Sequence, residues 1–444
     1  MKKSPVAIAL AAALAAPGAL AQSSVTIGGT VSILYDQVRA NGNFGGDTVA
    51  GPAAQNHLKT EDRVRDGGIS NIRFTVVEDL GGGNAAFVQV ESAVIQNSDQ
   101  RADAVGNNQG VTAAGNSTAV WGNRNSGIGI RSKTAGRFLI GVWEVHYTEH
   151  SVIEPGYATG NQAWSALTIM QNLGSGFNVN PLVGARLSNV IRWDSPVWSG
   201  FSIAAAYGRP TDGAPPNLAG TPIDGKINRV WSFAPRYVWG GLTLQYSYIQ
   251  DKNAVTNAAP TFAGQALGAA FPAAWKITGN RLGARYKFDN GFGIGAIWDD
   301  SKYSNNAAAV INSISVKRTA WALPVTWDSG NHHVMATYGK ANDWRGQVGG
   351  VDTGTATPAS LGLVAIGSCN AACLAGTSFG SNTGASMFSI GYMYNLSTRT
   401  NVSIGYVVLK NDALVRYDHY TNSSGNTAIG GDPRNFSLGM RHTW

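Results

Sequence analysis

The sequence predicts an all-β fold, a sixteen-stranded antiparallel transmembrane β-barrel. Three observations support it: side chains alternate with a period of two, short and long polar links alternate along the chain, and charged residues are scarce. Charged residues make up 13% of the 444 residues, whereas soluble globular proteins contain about 25%. No stretch of about 18 apolar residues follows the N-terminal segment, which argues against a helical membrane protein.

The first segment of the chain, residues 1–21, is typical of a secretory signal peptide. It has two lysines near its start, a short apolar region at Val6–Leu14 and small residues of a cleavage site at Ala19–Ala21. Cleavage there would leave residues 22–444 as one exported barrel domain. Loss of the two lysines lowers the formal net charge from +7 to +5. Because no run of Lys or Arg is present, the sequence predicts no nucleic-acid partner.

Strands are predicted from alternation, because successive side chains of a strand point to opposite faces. In segment 281–288, apolar and aromatic side chains occupy the even positions, and charged or small ones occupy the odd positions. The same period recurs at 242–248, 388–394, 402–408 and 436–444.

The links between strands alternate strictly between seven short ones and eight long ones, so that fifteen links join sixteen strands. The short links are rich in Asp, Asn and Gly, as tight hairpins require, and lie at 79–83, 134–136, 194–200, 240–241, 289–291, 328–330 and 395–398. The long links are predicted at 37–66, 96–118, 145–180, 209–226, 251–277, 300–315, 342–384 and 411–433. Outer-membrane barrels have short periplasmic turns, long extracellular loops and aromatic girdles. A soluble β-sandwich would also alternate, but it would not explain this order of links.

Aromatic residues lie beside the short links, as a membrane interface requires. They are Trp239, Phe288, Phe292, Trp327 and Tyr394.

Cys369 and Cys373 are the only two cysteines and form a C-x3-C spacing in a polar link. In an exported protein this spacing favours a disulfide that closes a small loop. Half of a metal site is the alternative, but the segment contains no further ligands.

Four segments resemble the general porins of Gram-negative bacteria, of the β-proteobacterial type. They are Ser23–Asp36, Val77–Glu91, Arg186–Phe201 and the last ten residues. The resemblance implies a homotrimer in the outer membrane that forms a water-filled channel for small hydrophilic solutes and ions. It also implies a third long loop folded into the barrel, no cofactor, and a C-terminal aromatic residue, here Trp444, that the barrel-assembly machinery recognises.

Two parts of the lumen depart from the pattern of that family. On the second strand a Lys position is occupied by Thr75 and an Arg position by Asn71, while Arg73 stands between them. The strand before the third long loop ends in Ile140-Gly141-Val142 instead of Leu-Gly-Arg. The cationic constriction of the family is therefore altered, and its selectivity does not transfer automatically.

The face of each strand opposite its apolar face is predicted to line the channel. Its candidate residues are Arg73, Glu91, Arg192, Arg236, Gln245, Arg285, Lys287, Asp299, Arg318 and Arg441. Basic residues exceed acidic ones in this set, and a positively charged pore wall attracts anions. The sequence therefore predicts anion preference, with solvated or paired charges as the alternative.

The third long loop, 145–180, is the predicted constriction. Glu149 and Glu154 of this loop, with Glu144 just before it, are expected to face wall arginines and set up a transverse field. Arg124 is a further filter candidate, because Asn123–Ile130 resembles a strand of the family.

Other functions remain open at this stage. A substrate-selective channel, or a surface adhesin or receptor that uses the long loops, are the main alternatives. The pattern H-x-x-E-H at His146–His150 is found in zinc proteases. It directly follows a predicted strand and lacks helical support, so the sequence predicts no enzyme and no metal.

Overall fold

The computed structural model describes the strands, the turns and parts of the long links. The described residues are 24–43, 58–94, 121–146, 148–154, 156, 162–170, 186–209, 229–253, 261–262, 265–266, 275–305, 314–348, 351–354, 379–413, 415, 417–419, 426–427 and 430–444. The predicted signal peptide and the predicted Cys369–Cys373 disulfide lie outside these residues, so both stay predictions.

Sixteen strands build one antiparallel sheet. They are β1 Ser24–Asn43, β2 in two segments Leu58–Asp66 and Asn71–Gly81, β3 Asn84–Ala93, β4 Ser126–Ser132, β5 Gly136–Glu144, β6 Arg186–Asp194, β7 Phe201–Gly208, β8 Arg229–Trp239, β9 Leu242–Asn253, β10 Trp275–Lys287, β11 Phe292–Asn305, β12 Ile314–Ser329, β13 His332–Ala341, β14 Ala385–Asn395, β15 Thr400–Asn411 and β16 Arg434–Thr443.

The sheet closes on itself, because β1 pairs with β2 on one side and with β16 on the other. Ile33 is opposite both Asp66 and Met440 in this double register. Trp444 extends the seam: its N–H donates to the Gly29 carbonyl at 3.2 Å. Closure satisfies the backbone groups of edge strands, which lipid cannot do. The sixteen-stranded barrel is thus confirmed, while the assembly role of Trp444 stays a prediction.

The barrel is inverted relative to a soluble protein, since its large apolar side chains are exposed on the outside. On β5, Phe138 and Ile140 are exposed, whereas Leu139 between them is buried on the inner side. Ile128 and Ile130 continue this outer apolar surface on β4. Lipid covers such a surface in an outer-membrane barrel.

All seven predicted short turns connect neighbouring strands. Gly240 and Gly330 have φ values of +53° and +57°, the conformation that tight hairpins need and that glycine adopts without strain. The positions of the turns follow directly from the Asp, Asn and Gly clusters of the sequence.

Several long links are shorter than predicted, because strands continue into them. β1 extends to Asn43, and β11 and β12 extend to Asn305 and from Ile314. In these extensions the outward side chains are polar, as at Arg39 and Lys302, and the inward ones are buried, as at Val38 and Tyr303. They therefore lack the outward apolar residues from which strands were predicted. Further short strand pairs lie inside links, at Thr261–Phe262 with Gln265–Ala266, Arg345–Val348 with Val351–Asp352, and Asn426–Thr427 with the end of β1.

The described helices are short. They are the 3-10 turns Glu149–Val152, Gln162–Trp164 and Phe379–Ser381, and the α-helix α1, Leu167–Met170. No described helix has the length and apolar character needed to cross a membrane.

Candidate functional site

Loop 3, the link between β5 and β6, folds into the barrel, as the resemblance implied. Its described residues are 145–146, 148–154, 156 and 162–170. His146 Nδ1 lies 2.7 Å from Ser247 Oγ on β9, and Ser389 Oγ on β14 donates to the Trp164 carbonyl at 2.9 Å. The loop therefore covers the lumenal face of the wall between these strands.

Glycines on the lumenal wall make notches that hold apolar side chains of loop 3. A Cβ added at Gly405 would lie 2.2 Å from Trp164 Cζ2, and one at Gly391 would lie 2.5 Å from Trp164 Cζ3. Ile153 fills a similar space over Gly283, with a distance of 2.8 Å between its Cγ1 and the added Cβ. Trp164 and Ile153 are 1% and 0% exposed, so these contacts anchor the loop by apolar burial.

A buried charge cluster fixes the end of α1 to the wall. Asp299 on β11 pairs with Arg281 on β10 at 3.0 Å and with Arg318 on β12 at 2.6 Å. Arg318 also donates to the carbonyls of Ile169 and Met170 at 2.6 and 2.9 Å. Cations thus meet the carbonyls that a helix leaves unpaired at its C-terminus.

This cluster corrects two predictions, because Arg318 and Asp299 do not line the aqueous lumen. Both side chains are 0% exposed beneath loop 3. The alternating pattern placed them correctly on the inner face of the wall. It could not show that a loop covers that face.

Glu154 is also not exposed to the channel, contrary to the prediction of a loop carboxylate facing wall arginines. It accepts hydrogen bonds from Ser165 Oγ at 2.9 Å and from the Ala166 N–H at 3.1 Å. Burial raises the pKa of its carboxyl to about 8, although these hydrogen bonds oppose the shift. Glu154 therefore organises loop 3 from within.

Glu149 does meet wall arginines, but it does so in direct ion pairs. It lies 3.1 Å from Arg192 on β6 and 3.9 Å from Arg236 on β8. Arg192 also pairs with Asp194 at 2.8 Å, and Glu144 pairs with Arg186. Loop and wall charges neutralise one another here, instead of facing each other across water.

Arg124 and Glu91 form another buried pair, with 2.6 Å between Arg124 Nε and Glu91 Oε1. Both side chains are 8% exposed. Arg124 precedes β4 and is not part of it. The two predicted filter residues are therefore paired with each other below the surface of the lumen.

Other predicted residues do line the inner side of the wall. Arg73 is exposed and lies opposite Gly28 and Glu91 in register. Arg285 is partly buried and donates to Thr326 Oγ1 at 2.8 Å. Lys287, near the short turn between β10 and β11, pairs with Asp328 at 2.9 Å. Gln245 and Arg441 also lie on the inner face; Gln245 is buried and accepts from Arg236 at 2.8 Å.

Two lumenal arginines were not predicted from the sequence. Arg131 lies 4.4 Å above the ring of Phe87, and Arg137 donates to Asp194 at 2.8 Å and lies over the Trp143 ring. They are opposite each other on β4 and β5. Each is adjacent in sequence to an outward apolar residue, so the same alternation could have identified them.

The zinc-protease pattern does not form a metal site. Glu149 is held by arginines, and burial together with nearby Arg281 lowers the pKa of His146 well below its usual value. The four-residue 3-10 helix is too short to present both histidines on an α-helical face. Within the described ranges, no group of three His, Cys, Asp or Glu side chains is arranged to hold a metal ion.

Comparison with known families matches residues 7–414 to the Gram-negative porins. The chain belongs to this family. It is accordingly a multi-pass β-barrel of the outer membrane that forms a channel, which confirms the resemblance seen in the sequence.

Solved structures share the fold at low sequence identity. An anion-selective porin from Comamonas acidovorans is 17% identical, with a TM-score of 0.62, and the match covers 95% of this chain and 100% of that one. OmpT, an outer membrane protein of Vibrio cholerae, is 12% identical with a TM-score of 0.58, over 95% of this chain and 98% of that one. OmpF of Salmonella typhi is 11% identical with a TM-score of 0.50, over 95% and 97%. Comparison with curated protein sequences finds no match.

Proposed function

We propose that this porin passes small hydrophilic solutes and ions by diffusion, prefers anions, and acts as a homotrimer without catalysis or a cofactor. The observation that carries the anion preference is an imbalance in pairing on the inner wall. Seven acidic groups there have basic partners, whereas some arginines of the described wall have no acidic partner.

The acidic side of this imbalance is seen in ion pairs at the inner wall. Their acidic members are Asp36, Glu91, Glu144, Glu149, Asp194, Asp299 and Asp328. Among the described residues, Arg73, Arg131 and Arg285 have no acidic side chain within ion-pair distance. These three arginines leave a positive excess on the water-filled side of the wall.

A positive excess in a narrow aqueous pore concentrates anions and depletes cations. Raising the mean lumenal potential by about one kT changes the anion-to-cation concentration ratio roughly sevenfold, because the two concentrations change in opposite directions. Two similar structures agree with the proposal: one is described as an anion-selective porin, and another as a trimer form of OmpT.

The test is the reversal potential of single channels in planar bilayers under a salt gradient. The triple variant Arg73→Gln/Arg131→Gln/Arg285→Gln should lose several-fold in anion-to-cation permeability ratio. The triple variant Lys302→Gln/Lys340→Gln/Lys410→Gln removes the same charge from the outer face and should leave the ratio unchanged. An unaltered reversal potential in the lumenal variant would refute the assignment of the filter.

A further inference from the structure

The lipid-facing side of the barrel carries cations that oppose one another across neighbouring strands. Lys252 on β9 is the register partner of Arg229 on β8 and also of Lys276 on β10. Arg229 and Lys252 are exposed, and Lys276 is partly exposed. Three cationic side chains thus project side by side from three adjacent strands.

A second triplet follows on the next strands. Lys317 on β12 is opposite Lys302 on β11 and opposite Arg345 on the short strand Arg345–Val348. All three are exposed. Asp300 pairs with Lys317 at 2.6 Å, which neutralises one cation of this triplet. We call the six residues of the two triplets the basic band.

The basic band lies just above the extracellular edge of the apolar surface. Arg229 is two residues beyond Trp231, which is 54% exposed on the same outward face. Trp231 is eight residues from Trp239 at the periplasmic turn. At about 3.3 Å per residue and a tilt of about 40°, the two rings are roughly 20 Å apart along the membrane normal. The cations are therefore at the level of the lipid headgroups of the outer leaflet.

Like charges that are directly opposite on adjacent strands destabilise a sheet. In the part of the chain that the structure describes, neither Arg229 nor Lys252 nor Lys276 has an acidic partner. An anion from outside the protein would relieve this repulsion. Phosphate suits the position, since Arg and Lys both bind it and one phosphate can bridge neighbouring cations.

We propose that the basic band binds the phosphate groups of a phosphorylated lipid in the outer leaflet. The lipid is favoured over a soluble anion by the surface directly below the band. Acyl chains of a bound lipid would pack against Trp231, Phe233 and Leu282, which are all exposed on the outer face. One molecule would thus satisfy both the cations and the apolar surface beneath them.

The binding test uses native mass spectrometry of the full-length mature protein in a neutral detergent. The probe is a diphosphorylated disaccharide lipid, compared with its dephosphorylated form and with inorganic phosphate. Lys252→Gln/Lys276→Gln should weaken binding of the phosphorylated lipid about 30-fold, at about 1 kcal/mol for each basic residue. Lys340→Gln/Lys410→Gln is the matched control. Its two exposed cations are separated by Ser386 in register, and it should lose about threefold or less.

Thermal unfolding supplies an independent readout, because the melting temperature of the double variant should compare differently with that of the wild type when the phosphorylated lipid is absent and when it is present. In neutral detergent alone, Lys252→Gln/Lys276→Gln should melt at or above the wild-type temperature, because repulsion is removed. With the phosphorylated lipid added, the wild type should gain more stability than this variant. Equal losses of lipid binding in Lys252→Gln/Lys276→Gln and in Lys340→Gln/Lys410→Gln would overturn the proposed site. Equal binding of the dephosphorylated lipid, or inorganic phosphate binding as tightly as the lipid, would overturn the proposed ligand.

Discussion

Trp164 is the residue whose removal tests most directly how loop 3 is held. Its side chain is 1% exposed and occupies the notch over Gly391 and Gly405. Burying about 200 Å² of aromatic surface at about 25 cal/mol per Å² stabilises the packed loop by up to ~5 kcal/mol. A loss of about 4 kcal/mol in Trp164→Ala would reduce the ratio of packed to displaced loop about a thousandfold.

The assay is single-channel recording of Trp164→Ala in planar bilayers. Conductance and current noise should both increase, because a displaced loop widens the passage and fluctuates. The barrel itself should remain folded, since its strand hydrogen bonds do not involve this side chain. Trp231→Ala is the matched control: it removes the same type of side chain from the lipid-facing surface and should conduct like the wild type.

A steric variant completes the test. Gly391→Ala places a Cβ 2.5 Å from Trp164 Cζ3, and the three atoms nearest to that Cβ all belong to Trp164. The variant should therefore displace the anchor and reproduce the noise of Trp164→Ala. The double variant should be no worse than Trp164→Ala alone, because the clash then has no partner. Wild-type conductance and noise in both single variants would refute the notch as the anchor of loop 3.

Two further predictions concern buried groups around the same loop. Asp299→Asn leaves Arg281 and Arg318, which are 1% and 0% exposed, without their shared counter-charge, and should cost about 3–5 kcal/mol in unfolding measured by heat or denaturant; a change below about 1 kcal/mol would contradict the ion-pair assignment. Glu154 has its pKa raised from 4.5 to about 8 in the packed loop, so the packed loop binds this proton more tightly than the displaced loop. The contribution is fully present below pH 4.5 and is lost as the pH rises to about 8. Current noise should therefore increase over this window in the wild type, and Glu154→Gln should abolish the increase; a pH dependence that persists in Glu154→Gln would assign it to another group.

Much of the fold could be predicted from the sequence, because each turn and each strand within the membrane leaves a local signal. The Asp, Asn and Gly clusters place the turns, and the period of two places the inner and outer faces. The extensions of β1 and β11 left no such signal, because their outward side chains are polar, as at Arg39 and Lys302, while the inward ones, as at Val38 and Tyr303, are buried. Their formation depends on pairing with a neighbouring strand that is distant in sequence.

The candidate site was harder to predict for a related reason. Alternation assigns Arg318 to the inner wall, but only the position of loop 3 decides that it is buried and not exposed to the channel. Trp164 was missed because its contacts with Gly391 and Gly405 are separated by more than two hundred residues along the chain. Inward-facing glycines on adjacent strands are the one sequence feature that could have indicated a seat for a loop.

Loop 3 also separates the charged residues of the wall into a group that it covers and a group that faces the water-filled passage. Beneath the loop, Arg281 and Arg318 are desolvated and share Asp299, so they have no direct contact with the aqueous lumen. On the uncovered wall, Arg73 is exposed, and we propose that it contributes to the local potential. Displacement of the loop would bring Arg281 and Arg318 into contact with the passage, where two guanidinium groups face a single carboxylate. The Trp164→Ala channel should therefore be wider and also more selective for anions, whereas simple widening of a charged pore lowers selectivity because its wall is farther from the permeating ions. A higher conductance with a lower anion-to-cation permeability ratio would show that Arg281 and Arg318 remain out of contact with the passage when the loop moves.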